Sequence, residues 1–304
     1  MPLPQLLRRL IAAIAALLIG ASPAGAEAPG DLQSADFKGP ALWKLADQDT
    51  TIWLFGTIHV LPTTVKWETP AIKAAVQASD ALVIETVIGP DPQAASQLLL
   101  RMGISPDLPP LMDRIKPDRR DALADMIRRS KLQPEMLDRL ETWAAAMLLV
   151  GATVTDLGLD GASGVEAVLQ RVFTTAGKPV EGLETPMQQL GYLDTLPEEA
   201  QRDFLMSVVD EPATVRAEFD RMLLAWRQGD EKGIARSFDD EVALSPELRD
   251  ALLRRRNLAW TDWLIDRLDK PGTYFVAVGA GHLAGPDSVQ RMLRKRGFKA
   301  ERVQ

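Results

Sequence analysis

The chain has two histidines, His59 and His282, more than two hundred residues apart, and each closes the same four-residue frame, Gly-x-x-His. The frames read Gly56-Thr57-Ile58-His59 and Gly279-Ala280-Gly281-His282. Imidazole is the commonest metal ligand, and it is the one side chain whose unperturbed pKa lies near neutrality. Two histidines in one local frame point to a shared task. Each frame follows a β-type run, Thr51 to Phe55 and Thr273 to Val278, and two similar runs end in carboxylates, Asp80 to Glu85 and Lys178 to Glu184. In open α/β sheets, ligands bind beyond the carboxyl ends of the strands. That edge would gather His59, Glu85, Glu184 and His282. Two imidazoles and a carboxylate with an open position form a common catalytic metal set, able to bind Zn²⁺, Mn²⁺ or Fe²⁺ and acidify a bound water.

Other readings compete for these residues. Glu85 could be a solvated strand end, and Glu184 could cap a helix that opens at Pro186. On a helix spanning Pro246 to Leu268, one face carries Leu252, Arg256, Ala259 and Trp263, and the next carries Leu253, Asn257, Trp260 and Leu264. Arg256 and Asn257 therefore point to the core side. A buried guanidinium needs an anionic partner, so Arg256 is a candidate clamp for a substrate or for the carboxylates. The alternative is an arginine whose stem lines a helix interface. Gly279-Ala280-Gly281 with Gly285 resembles a dinucleotide loop, but His282 and the bulky Leu283 occupy it. No Gly-x-Ser-x-Gly elbow is present to support a serine nucleophile.

The elements that must position these groups can be read from periodicity. A hairpin joins 41–46 to 51–56 through the polar turn Asp47-Gln48-Asp49-Thr50, and a short amphipathic helix at 70–79 leads into the buried strand 80–85. Residues of about 92–176 carry helical spacing and form a large insertion. Strand 178–184, helices over 186–268, strand 274–278, a helix opening near Pro286 and stopping at Gly297, and strand 298–303 complete the order. The fold class is α/β: a central, mostly parallel or mixed sheet flanked by helices, with a large helical insertion, in one domain over 27–304.

Residues 1–26 stand apart. Arg8-Arg9 precede the apolar run Leu10 to Leu18, and Ala24-Gly25-Ala26 supplies a small-residue cleavage pattern, so a signal peptide cut after Ala26 and a periplasmic or secreted protein are expected. Without that segment the balance is 33 basic to 42 acidic residues, which argues against nucleic acid as a partner. No later stretch reaches the length of a membrane span. The chain has no cysteine, so any metal must be held by nitrogen and oxygen.

The chain resembles the TraB/PrgY/GumN family, to which the TIKI Wnt-inactivating proteases are related. The residues that carry the resemblance are Leu42-Trp43, Leu54 to His59, Ser79 to Glu85, Gly177 to Thr185 with Gln188, Arg256-Asn257, and Gly279 to Pro286 with Ser288-Val289. The likeness runs from about Ala41 to Val303, and extends more distantly to erythromycin esterase and haem-binding ChaN-like proteins. It implies an α/β core and a metal-dependent site, with Mn²⁺ or Co²⁺ favoured and Zn²⁺ or Fe²⁺ as alternatives. His59 and His282 would be ligands, Glu85 a ligand or general base, and Glu184, Arg256 and Asn257 the supporting shell. The expected activity is an extracytoplasmic metal-dependent hydrolase of peptide or protein substrates. Its rivals are a periplasmic protein that binds a peptide or haem without turnover, and an accessory of envelope or exopolysaccharide assembly.

Overall fold

A computed structural model describes residues 37–304 apart from 88, 90–91, 106, 160, 210–211 and 243–244. The expected signal segment, 1–26, lies outside the described residues. Six strands form one mixed sheet: β1 Leu42–Ala46, β2 Thr50–Thr57, β3 Ala81–Thr86, β4 Val180–Glu184, β5 Gly272–Gly279 and β6 Glu301–Arg302. Their spatial order is β4-β3-β5-β2-β1-β6. The pairs β2–β5, β5–β3 and β3–β4 are parallel, whereas β1 runs antiparallel to both β2 and β6.

Period-two alternation divides the strands between two cores. Leu42, Phe55, Leu82, Ile84, Phe275 and Ala277 face one side, with the bulk of the helices. Trp43, Ile52, Leu54, Val83, Val276 and Val278 face the other, against Trp260, Leu264 and Leu293. Each of the valine, leucine, isoleucine and phenylalanine side chains contributes about 1.5–3 kcal/mol by leaving water. Burial on both sides explains why β2, β3 and β5 read as nearly continuous apolar runs.

The helices between β3 and β4 begin with Pro92–Gly103 and end with Val165–Thr175. At their centre lies Thr142–Asp156, with ten buried residues spread around its circumference, as expected of a helix enclosed on all sides. The helix Pro212–Arg227 is tied to β2 where Trp226 Nε1 donates to the Gly56 carbonyl at 2.7 Å.

Three local expectations need correction. The last helix is Val289–Lys295, not a helix opening at Pro286, because Gly285 adopts φ +77° and Ser288 stands at the N-cap position. The final strand is two residues long rather than 298–303, since it pairs with the edge of β1 only at Trp43 and Lys44. The helix ending at Leu268 contains a π-helical turn at Asp250–Arg254, so its buried stripe is Arg256, Asn257, Trp260, Thr261 and Leu264, with Ala259 exposed. Such π-turns shift the register of side chains on a helix and recur at functional sites.

Candidate functional site

The parallel register brings the strand ends to one level: Thr57 pairs with Gly279, Ile84 with Ala277 and Thr86 with Glu184. His59 follows β2 by two residues, Glu85 lies at the end of β3, Glu184 closes β4, and His282 sits on a 3₁₀ turn, Ala280–Leu283, directly after β5. All four are buried, at 5–7% exposure, as is Arg256 at 7%. Glu184 does not cap the next helix. Thr185 does, in a reciprocal capping box with Gln188 at the start of Pro186–Asp194.

Each imidazole is oriented through Nδ1. Val165 N donates to the Ile58 carbonyl at 3.1 Å, which starts the helix Val165–Thr175 against the His59 backbone. Only glycine fits at position 164, because a Cβ there would lie 1.9 Å from the His59 carbonyl oxygen. The first turn of that helix brings Glu166 Oε1 to 2.6 Å from His59 Nδ1, an ion pair rather than a well-aligned hydrogen bond, and the same oxygen accepts from Thr57 Oγ1. His282 Nδ1 lies 2.6 Å from Asn257 Oδ1, while Asn257 Nδ2 donates to the Asp287 carbonyl at 2.8 Å. With Nδ2 spent as a donor, Oδ1 is the acceptor, so the proton of His282 belongs on Nδ1 and the lone pair on Nε2. The Trp260 ring packs on that imidazole with centroids 4.3 Å apart.

The carboxylates are organised by Arg256. Its Nη2 donates to Glu85 Oε2 at 2.6 Å and to Glu184 Oε2 at 2.9 Å, and Nε donates to Glu184 Oε1 at 2.9 Å. Nη1 lies 3.2 Å from His282 Nε2, a contact that suits the lone pair there. Glu85 Oε2 also accepts from Gln189 Nε2, whereas Oε1 accepts from Gly279 N at 2.7 Å. Trp260 Nε1 donates to Glu184 at 3.0 Å, and its ring lies 4.7 Å from the guanidinium carbon.

Burial opposes charge on every group, and neighbours decide the outcome. For Glu85, burial is outweighed by Arg256, His282 and His59, which hold its carboxyl well below the usual range. For Glu184, burial prevails over Arg256 and pushes the carboxyl up. His59 is disfavoured as a cation by burial, but Glu166 more than offsets this and pushes it up to about 9. Burial takes His282 down to about 3, with Arg256 and His59 adding to the shift against the pull of Glu85.

The donor set agrees in kind with a divalent cation. Around Gly279, an added Cβ would meet Glu85 Oε1 at 3.1 Å, His59 Nε2 at 3.4 Å and His282 Cδ2 at 3.6 Å, so the three side chains surround one small space. Glu85 Oε1 and His282 Nε2 are 3.7 Å apart, near the roughly 3.4 Å expected of two ligands sharing one tetrahedral cation. Both Nδ1 atoms face oxygen, the outer-shell arrangement usual for metal-bound histidine. Among the described residues no three His, Asp or Glu side chains are already drawn into a cage. Arg256 Nη1 occupies the approach to His282 Nε2.

Sequence reasoning named His59, Glu85, Glu184, Arg256, Asn257 and His282, and the fold brings all six into one network. It missed Glu166 and Gln189 and gave Trp260 only a place on a helix face. A glycine followed two residues later by an acid is the faint signal for Glu166.

A family model described as TraB/PrgY/gumN matches residues 41–302. The uncharacterized protein YbaP of Escherichia coli strain K12 is 26% identical over 249 residues, covering 79% of this chain and 87% of its own, and YbaP of Shigella flexneri matches equally. An uncharacterized protein of Treponema pallidum strain Nichols is 26% identical over 183 residues, covering 55% of this chain and 54% of its own. No solved structure matches. With the family model covering the whole sheet and every residue of the network, the chain belongs to the TraB/PrgY/gumN family.

Proposed function

We propose that the chain is a metal-dependent hydrolase, peptidase-like in its chemistry and acting outside the cytoplasm, with a peptide or protein as substrate. The observation that carries this reading is the pairing of orientations. Each imidazole commits Nδ1 to an oxygen, and both rings border the small space beside Gly279 that Glu85 Oε1 also reaches. His59, His282 and Glu85 Oε1 would hold the cation, Mn²⁺ or Co²⁺ by family resemblance and Zn²⁺ or Fe²⁺ by ligand type. When bound, such a cation supplies Lewis acidity and a water of lowered pKa.

The remaining roles belong to the chain. Arg256 keeps Glu85 ionised and turns it by gripping Oε2, leaving Oε1 toward the histidines. Arg256 Nη1, which lies beside His282 Nε2, would stabilise charge on a substrate oxygen, while Nε and Nη2 hold the carboxylates. Glu184, with its carboxyl pushed up, is suited to moving a proton at that oxygen. Asn257 and Glu166 hold the rings. The segment at 1–26, with Arg8-Arg9 ahead of the apolar run Leu10 to Leu18 and small residues at Ala24-Gly25-Ala26, supports export to the periplasm or beyond. Among the described residues no helix is long and apolar enough to cross a membrane.

The test is the metal content of the mature protein, purified without chelator or histidine tag, beside the His59→Ala/His282→Ala variant. About one equivalent, lost in the variant, together with cleavage in a peptide library that needs the same metal, is the expected result. Failure to take up Mn²⁺, Co²⁺, Zn²⁺ or Fe²⁺ on reconstitution overturns it. A Soret band with added haem, lost in the variant, would then mark a binding protein.

A further inference from the structure

A groove of about 1020 Å³ opens between the start of the helix Glu231–Val242, the helix Val289–Lys295 and β6. None of the residues of the histidine network lines it, although Gly285 and Pro286, which follow the His282 turn, do. Its three acids are each answered by a base: Asp230 by Arg236 at 3.6 Å, Glu231 by Arg302 at 2.8 Å, and Glu301 by Lys299 at 2.9 Å. Three further bases in the lining, Lys232, Arg291 and Arg294, are exposed and have no acidic partner among the described residues. Arg291 and Arg294 are three residues apart on one helix, so they share a face. Lys232 reaches the groove from another helix.

This local excess runs against the chain as a whole, whose net charge is −7. Three unneutralised cations around one concavity raise the local concentration of anions. Ser288 adds an independent feature: it lines the groove at only 4% exposure, and its hydroxyl makes no capping bond to the helix it precedes. A hydroxyl that makes no capping bond, beside arginines with no acidic partner among the described residues, suits an oxyanion. Planar guanidinium groups favour phosphate, whose oxygens they can grip two at a time.

We propose that this groove is a binding site for a phosphate monoester, held by Arg291, Arg294 and Lys232 with Ser288 donating to one oxygen. The site is independent of the reading given to the histidines. A monoester on a free metabolite and one on a lipid headgroup present the same chemistry.

The experiment uses the mature protein with two probes, glucose 1-phosphate in calorimetric titration and phosphatidylcholine vesicles containing phosphatidic acid in flotation. Glucose and pure phosphatidylcholine vesicles serve as controls. Saturable binding of glucose 1-phosphate identifies a free ligand, and vesicle capture alone identifies a lipid-borne one; each supports the proposal when lost in the variant. Arg291→Ala/Arg294→Ala should weaken that binding at least about tenfold, as expected for the loss of charge-assisted contacts, with thermal unfolding checked to confirm the fold. Lys295→Ala removes an exposed cation from the same helix that does not line the groove, and should leave affinity within about twofold, since it removes no direct charge-assisted contact to a bound anion. Equal losses in the two variants, or no saturable binding to either phosphate probe, overturns the proposal.

Discussion

Arg256 is the keystone of the network, and its replacement by methionine has a calculable cost. The substitution keeps an unbranched apolar stem beside Trp260 and removes the guanidinium between Glu85 and Glu184, which are 5% and 7% exposed. Breaking a buried pair by deleting one partner costs about 3–5 kcal/mol, because the remaining charge is left without compensation. Here two carboxylates lose their cation. At about 2–4 °C per kcal/mol for a domain of this size, Arg256→Met should lower the unfolding midpoint by roughly 10 °C. The sharper test is a cycle with Glu85→Gln, because Glu85 is the carboxylate whose charge its neighbours hold against burial. In the wild-type background that change takes a partner from Arg256 and should destabilise by about 1–3 kcal/mol. In the Arg256→Met background it removes a stranded charge and should stabilise by a similar amount. The sign therefore reverses between backgrounds. Unfolding followed by tryptophan fluorescence at pH 8 measures all four corners, at a pH where protonation offers the carboxylates little relief. A loss below about 1 kcal/mol for Arg256→Met, far under the buried-pair range, or the same sign for Glu85→Gln in both backgrounds, would refute the account of the network.

Glu166→Gln should weaken Mn²⁺ or Co²⁺ binding by about 10–100-fold, the range for losing an outer-shell partner of a metal-bound histidine; unchanged affinity in calorimetry would remove Glu166 from that role. Gly279→Ala places a methyl 3.1 Å from Glu85 Oε1 and 3.4 Å from His59 Nε2, so cation uptake should fall further than thermal stability, and an equal fall in both would mean simple misfolding. Gly164→Ala sets a Cβ 1.9 Å from the His59 carbonyl oxygen, and the forced displacement of helix from strand should cost at least about 2 kcal/mol, as overpacking does, read as a lower unfolding midpoint.

The parts of the site legible in the sequence are those fixed by strand endings. His59, Glu85, Glu184 and His282 follow apolar runs whose length and pattern mark buried parallel strands, and topology alone then places them at one edge. Arg256 and Asn257 were legible as buried groups in need of partners. That Glu184 and Glu85 together would saturate Arg256 was not, because it depends on where the π-helical turn sets the helix relative to the sheet. Glu166 was hidden for a different reason. An acid in the first turn of a helix is common on dipole grounds, and its partner is decided by how closely Gly164 approaches the His59 backbone, a contact between segments more than a hundred residues apart. The helix start moved from Pro286 to Val289 because glycine and proline signal a turn as readily as a cap.

The position of β5 has a temporal meaning. It lies between β2 and β3, with parallel partners on both sides, yet it is formed by residues 272–279. A polypeptide emerging amino terminus first has synthesised His59, Glu85, Glu166 and Glu184 well before the strand that joins them appears. Until then β2 and β3 have no shared neighbour, and Glu85 lacks the Gly279 amide that fixes Oε1. Contacts of such sequence separation form late and slowly. The cluster of histidines, carboxylates and Arg256 is thus assembled by the insertion of a single late wedge, so a nascent chain carries the ingredients of the site without the site itself.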